Sequence, residues 1–147
     1  MPVHWHSFPG ASRPAAPVFL DAELRSKFHG FPIRKQVKAF LDTGSSWSII
    51  PFSLAREMAL PISGSQNVRG FDQRLPPVTC PIYKLKLKLP GMDEIEIDAL
   101  GGERPNVLIG RDICERMLLI INWNLNGAGI CRTRTWHSNL RYVFFQP

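Results

Sequence analysis

The stretch Phe40-Leu41-Asp42-Thr43-Gly44-Ser45-Ser46-Trp47-Ser48-Ile49-Ile50 decides how this chain is read. The run Val37 to Leu41 predicts a strand, and it delivers a carboxylate directly into a turn containing Gly44. A second apolar run, Trp47 to Ile50, leaves the turn on its far side. At average residue usage an Asp-Thr-Gly tripeptide arises by chance in a chain of this length only on the order of a few per cent of the time. Taken alone it fits equally well an Asp that closes a strand-end turn on its own backbone.

A second element repeats the pattern. Val107-Leu108-Ile109-Gly110-Arg111-Asp112 is again an apolar strand ending at Gly, and it opens a helical stretch with Ile113, Cys114 and Met117 on one side. Two apolar strands that each end at Gly can cross near one point.

Working outward, Val18 to Leu24 predicts a first strand, joined to Val37 by a basic connection that holds Arg25, Lys27, Arg34 and Lys35. Residues 1–17 carry four prolines and read as a flexible arm, which leaves 18–147 as the domain. Leu54 to Leu60 predicts a short helix with Leu54 and Met58 on one face, stopped by Pro61. The most regular segment is Tyr83 to Ala99, where Lys84, Lys86 and Lys88 alternate with Leu85, Leu87 and Leu89, and Glu94, Glu96 and Asp98 alternate with Ile95 and Ile97. One hairpin register opposes Lys88 to Glu94, Lys86 to Glu96 and Lys84 to Asp98, and it also sets Leu87 against Ile95 and Leu85 against Ile97.

The chain has 147 residues, 44% hydrophobic and 20% charged, with 18 Lys+Arg against 12 Asp+Glu for a net charge of +6. That is one domain with a buried core. Thirteen prolines and eleven glycines favour many short strands over a helical bundle. The Lys-x-Lys-x-Lys run invites a nucleic-acid reading, but its hairpin sets three lysines against the four acids Asp93, Glu94, Glu96 and Asp98. The remaining bases are scattered and lack interleaved aromatics, which argues against nucleic acid as the main partner. Apolar runs fall far short of the roughly 18 residues of a membrane span, and no signal peptide is seen, so the expectation is a soluble, cytoplasmic protein with no membrane partner. Cys80, Cys114 and Cys131 form no C-x-x-C pair and read as packed thiols. His4-Trp5-His6 has metal-like spacing but no neighbouring carboxylate or Cys, and it reads as a solvated tail. No metal or cofactor is called for. Gly127-Ala128-Gly129 reads as a hairpin turn.

Taken together, Phe40-Leu41-Asp42-Thr43-Gly44-Ser45-Ser46 and Val107-Leu108-Ile109-Gly110-Arg111-Asp112 resemble the two hallmark elements of the retropepsin-like (retroviral-type, single-lobe) aspartic proteases. Val68-Arg69-Gly70-Phe71 with Pro81-Ile82-Tyr83 is similar to the flap hairpin that lies between them. The resemblance implies an all-β, closed-barrel-like fold with one or two short helices, active as a homodimer. It implies that Asp42 is the catalytic carboxylate and that Thr43 and Gly44 shape its loop. Peptide hydrolysis without a metal needs one carboxylate to activate water and a second, protonated, to act as acid. One motif in a single-domain chain supplies half of that pair, and a two-fold partner supplies the rest.

An extended polypeptide substrate would lie beneath the flaps, with Trp47, Gly70, Phe71 and Ile109 as substrate-binding positions and apolar residues flanking the cut. The alternative is a catalytically weak or inactive dimerisation or peptide-binding module on the same fold. The sequence departs from the viral pattern after Gly44, where Ser45, Ser46 and Trp47 stand in place of an acidic partner for Arg111. That arginine is left to Asp112 or a chain terminus. Tyr142 to Phe145 reads as a last strand.

Overall fold

The structure, a computed structural model, describes residues 4–7, 18–28, 30–70, 74–122 and 127–132. The strands are β1 (His4–Ser7), β2 (Phe19–Phe28), β3 (Phe31–Leu41), β4 (Ile49–Pro51), β5 (Ile62–Val68), β6 (Val78–Lys88), β7 (Ile95–Gly102), β8 (Val107–Ile109), β9 (Met117–Asn122) and β10 (Gly127–Arg132). Two short helices are α1 (Phe52–Glu57) and α2 (Arg111–Cys114). The fold is mostly β, as expected.

Seven strands run in the order β2-β3-β8-β4-β7-β6-β5, and β2 also pairs with β6. The last pairing closes six strands into a ring with β5 outside it. Alternation sets the inner face: Leu20, Ala22 and Leu24 of β2, Leu85 and Leu87 of β6, and Ile97 and Ala99 of β7 are buried. Leu24 stands opposite Leu87 where the ring closes. Each such leucine contributes on the order of 1.5–3 kcal/mol relative to exposure.

The β2–β3 hairpin is longer than the sequence pattern suggested. It is paired from Phe19↔Phe40 to Phe28↔Phe31, so Arg25, Lys27, Arg34 and Lys35 lie within strands rather than in a connection. The turn needs only Gly30, whose φ of 83° is left-handed and open to Gly. The bases find acids nearby: on the solvent face Arg25 pairs with Glu23 and Glu94 and Lys38 with Asp21, while Lys35, opposite Leu24 on the other face, pairs with Glu57.

The β6–β7 register is the one expected, with Lys84↔Asp98, Leu85↔Ile97, Lys86↔Glu96 and Leu87↔Ile95. The expected Lys88–Glu94 pair does not form. Met92 tucks into the core at 4% exposure, so pairing stops at Leu87, and Lys88 Nζ donates to the Met92 carbonyl at 2.5 Å. Glu94 instead accepts from Lys86 and Arg25, each at 2.8 Å.

Helix α1 ends before Pro61 acts. The Ala59 amide donates to Arg56 O and the Leu60 amide to Ala55 O, both at 3.0 Å, with Ala59 at a φ of 47°. This is a Schellman closure with Ala where Gly is usual. Helix α2 is also shorter than expected, because Met117 already begins β9 and is buried there.

A second, three-stranded sheet has the order β1-β10-β9, and Met117 at the start of β9 is buried with the core of the ring. Gly127-Ala128-Gly129 lies inside β10 opposite Ile120 to Asn122, not in a turn, because pairing extends to Gly127↔Asn122. Four residues of the N-terminal arm, His4–Ser7, pair antiparallel with β10. Tyr142 to Phe145 lies outside the described residues.

Candidate active-site loop

Asp42 sits where two strands converge. Strand β8 is parallel to β3, with Phe40↔Leu108 and Leu41↔Ile109, and it meets β4 antiparallel at Ile49↔Leu108. The two strands flanking the Asp42 loop therefore straddle a third from far along the chain. Past the last strand pair, the Asp42 amide donates to Ile109 O at 3.0 Å. The loop then turns back on its own carboxylate: Gly44 N–H donates to Asp42 Oδ1 at 2.9 Å and Ser45 N–H to Asp42 O at 3.2 Å. A Cβ on Gly44 would lie 3.1 Å from Oδ1, a tight approach that Gly avoids. Asp42 is half-buried, while Thr43 and Gly44 are exposed.

The remainder of the loop is bound to the β8–α2 junction. Arg111 N–H donates to Ser45 O at 2.9 Å, and the Arg111 guanidinium donates to Ser46 Oγ at 2.8 Å. Ser46 is thus the arginine's partner rather than Asp112, which accepts from Ser48 Oγ at 2.8 Å. Ser45 Oγ donates to Trp47 O at 2.7 Å. The Cys114 thiol, half-buried on α2, is pushed up to about 11, first by burial and then by the negative charge of Asp112, with Asp42 adding a smaller effect. Both carboxylates therefore act on this thiol.

The other expected site residues are distributed unevenly. Ile109 is 1% exposed and belongs to the core, so it has no surface to offer a pocket. Trp47 is half-buried and lines a cleft of about 220 Å³ with Lys84, Asp98, Asp112 and Ile113, a lining that does not include Asp42. The hairpin β5–β6 stands where the flap was expected, in register from Gly64↔Ile82 to Val68↔Val78. Ile62, Leu75 and Val78 on it are more than 60% exposed. Gly70 is exposed beyond the end of β5, and Phe71 lies outside the described residues. Ser48 was missed by sequence reasoning. Its signal was the spacing Ser48, Ile50, which puts the serine on the buried side of the chain entering β4.

A ring of strands in which β8 threads between the two strands flanking an Asp-Thr-Gly loop defines a retropepsin-like fold. A retropepsin-like aspartic protease from Rickettsia conorii is 14% identical to this chain, covering 89% of it and 94% of its own length, with a TM-score of 0.52. The EIAV protease complexed with the inhibitor HBY-793 is 16% identical over 71% of this chain and 90% of its own, with a TM-score of 0.48. The retroviral protease-like domain of Ddi1 from Leishmania major is 17% identical over 78% and 94%, with a TM-score of 0.44. No family model and no curated protein matches the sequence.

Proposed function

We propose that the chain is one protomer of an aspartic endopeptidase, active as a homodimer that brings two copies of Asp42 together. The observation that carries this reading is the tethering of Asp42: its amide on Ile109 and its Oδ1 on Gly44 N–H hold a half-buried carboxylate at a strand end. In the dimer, like charges at close range do not both ionise easily, so the pair shares one proton. The ionised carboxylate takes a proton from water as the oxygen attacks the scissile carbonyl carbon. The protonated carboxyl gives its proton to the carbonyl oxygen. The gem-diol then collapses: the carboxyl that took the water proton gives it to the amide nitrogen, the other, now ionised, takes a proton from a gem-diol hydroxyl, the C–N bond breaks, and the amine and carboxylic acid leave with the pair again sharing one proton.

Thr43 braces the paired loops, and the substrate lies extended beneath the β5–β6 hairpin, with Gly70 at the end of its first strand and Trp47 toward the flank. Exposed Val78, at the end of the hairpin, and Leu75 before it support a preference for apolar residues around the cut. The test is cleavage of a peptide library at mildly acidic and neutral pH by the wild type and Asp42→Asn. Cleavage that the variant abolishes while remaining dimeric supports the reading. Unchanged cleavage by the variant refutes it, and saturable peptide binding without turnover by the wild type replaces it with a binding module.

A further inference from the structure

We propose that Ser48 is a positioning residue for the Asp42 carboxylate, acting through the backbone of the loop they share; this rests on the peptidase reading above. Among the described residues Ser48 is the single buried polar side chain, at 2% exposure. A buried hydroxyl is kept where its bonds are filled, and here the hydroxyl is filled as both acceptor and donor. Ser48 Oγ accepts from Gly110 N–H at 3.0 Å and donates to Asp112 Oδ1 at 2.8 Å, which ties the loop to the β8–α2 junction. The Ser48 carbonyl accepts from Leu100 N–H at 2.9 Å, which ties it to β7.

The loop that carries Asp42 has three attachments to backbone groups of the later element, besides the exposed side-chain contact between Ser46 and Arg111. Asp42 N–H on Ile109 O holds its entry, and Ser45 O under Arg111 N–H holds its middle. Ser48 holds its exit. The exposed Ser46–Arg111 contact joins two mobile side chains, so the exit of the loop is held to the later element chiefly by the buried Ser48 hydroxyl. Gly110 makes the third one reachable, because a Cβ there would come within 2.5 Å of the Trp47 carbonyl carbon and oxygen. A carboxylate that must meet its symmetry mate in working geometry tolerates only about 0.5 Å of displacement. Removing the Ser48 hydroxyl detaches the exit from the β8–α2 junction, leaving its carbonyl on Leu100, and strands the Gly110 amide and an Asp112 oxygen.

The experiment uses the full chain with Ser48→Ala, Ser48→Thr and Asp112→Ala. It reads kcat and KM on a peptide the wild type cleaves, the thermal midpoint, and amide hydrogen exchange at Asp42, Gly44 and Ser45. Ser48→Ala is expected to lower kcat by about 10- to 100-fold with KM within about twofold, and to speed exchange at Gly44 and Ser45. Ser48→Thr, which keeps the hydroxyl, restores both. Asp112→Ala, which keeps the Ser48–Gly110 bond, moves both readouts the same way by less, and it decides the matter if Ser48→Ala does not fold. Unchanged kcat and exchange in the Ala variants overturn the proposal, as does a loss of activity that only tracks the folded fraction and is not restored by Thr. If the wild type cleaves nothing, the peptidase reading fails by itself; Gly44 exchange then still reports on the loop, and unchanged protection in Ser48→Ala overturns the positioning role.

Discussion

The amide of Asp42 donates to the carbonyl of Ile109 at 3.0 Å, one step beyond the last parallel pair, Leu41↔Ile109. The loop carrying the carboxylate is therefore hung from a fully buried strand, and its position is set by the core rather than by the turn alone. Changes at the β8–α2 junction should reach Asp42 without touching it.

Gly110 is the sharpest case. A methyl at this position would meet the Trp47 peptide at 2.5 Å and Asp112 Oδ1 at 3.0 Å, and a backbone neighbour cannot rotate away. Gly110→Ala should cost about 3 kcal/mol, at the upper end for overpacking. Urea denaturation read at equilibrium checks it.

Ala59 should move the other way. Its φ of 47° costs a residue with a Cβ about 1–2 kcal/mol. Glycine removes that strain but adds about 0.4–1 kcal/mol of unfolded-chain entropy. The strain is larger, so Ala59→Gly should stabilise the protein by about 0.5–1 kcal/mol, visible as a higher denaturation midpoint.

Cys114 should be a slow thiol. With its titration pushed up to about 11 from 9.0, the thiolate at pH 8 is depleted about a hundredfold, since each unit is a factor of ten. Alkylation of Cys114 should accelerate steadily up to about pH 11. Replacing Asp112 with Asn should raise the rate at pH 8, because it removes the second-largest cause. Mass spectrometry of iodoacetamide-treated protein resolves the site.

Glu94 links the hairpin charges to acid stability. The hydrogen bond from Lys86 is the largest effect and holds its carboxyl below the ordinary 4.5; burial, the next largest, opposes it, and the Lys86 charge and the Arg25 contacts lower it further. A carboxyl lowered on folding stabilises above its unfolded value, and the contribution is lost as pH falls through the folded one. Glu94→Gln should thus lower the thermal midpoint slightly at pH 7, with the difference shrinking as pH falls below about 4.5.

What was legible in the sequence was legible because it is local. The β6–β7 register followed from two alternations that had to agree on both faces, and Leu85, Leu87 and Ile97 point inward as that agreement requires. The Asp-Thr-Gly turn and the Gly-ended apolar run were visible for the same reason. Errors arose where a distant partner intervened. The bases of β2 and β3 looked like a loop until Glu23, Glu57 and Glu94 stood beside them. Burial of Met92 took Lys88 away from Glu94. Ile109 looked like a pocket wall, but its position in the middle of the sheet makes it core.

The sequence by itself determined which side chains of β6 and β7 face inward and that Asp42 ends a strand at a Gly turn, since these follow from side-chain periodicity and backbone freedom at Gly. Only the tertiary structure decided that β8 enters between β3 and β4, that β2 returns to β6 to close the ring, and that Ser48 is buried against Gly110 and Asp112. The first two are made by backbone N–H and C=O groups, which every residue but proline carries alike, so no side-chain pattern announces them. The third depends on three segments arriving together, and that meeting exists only once the ring has closed.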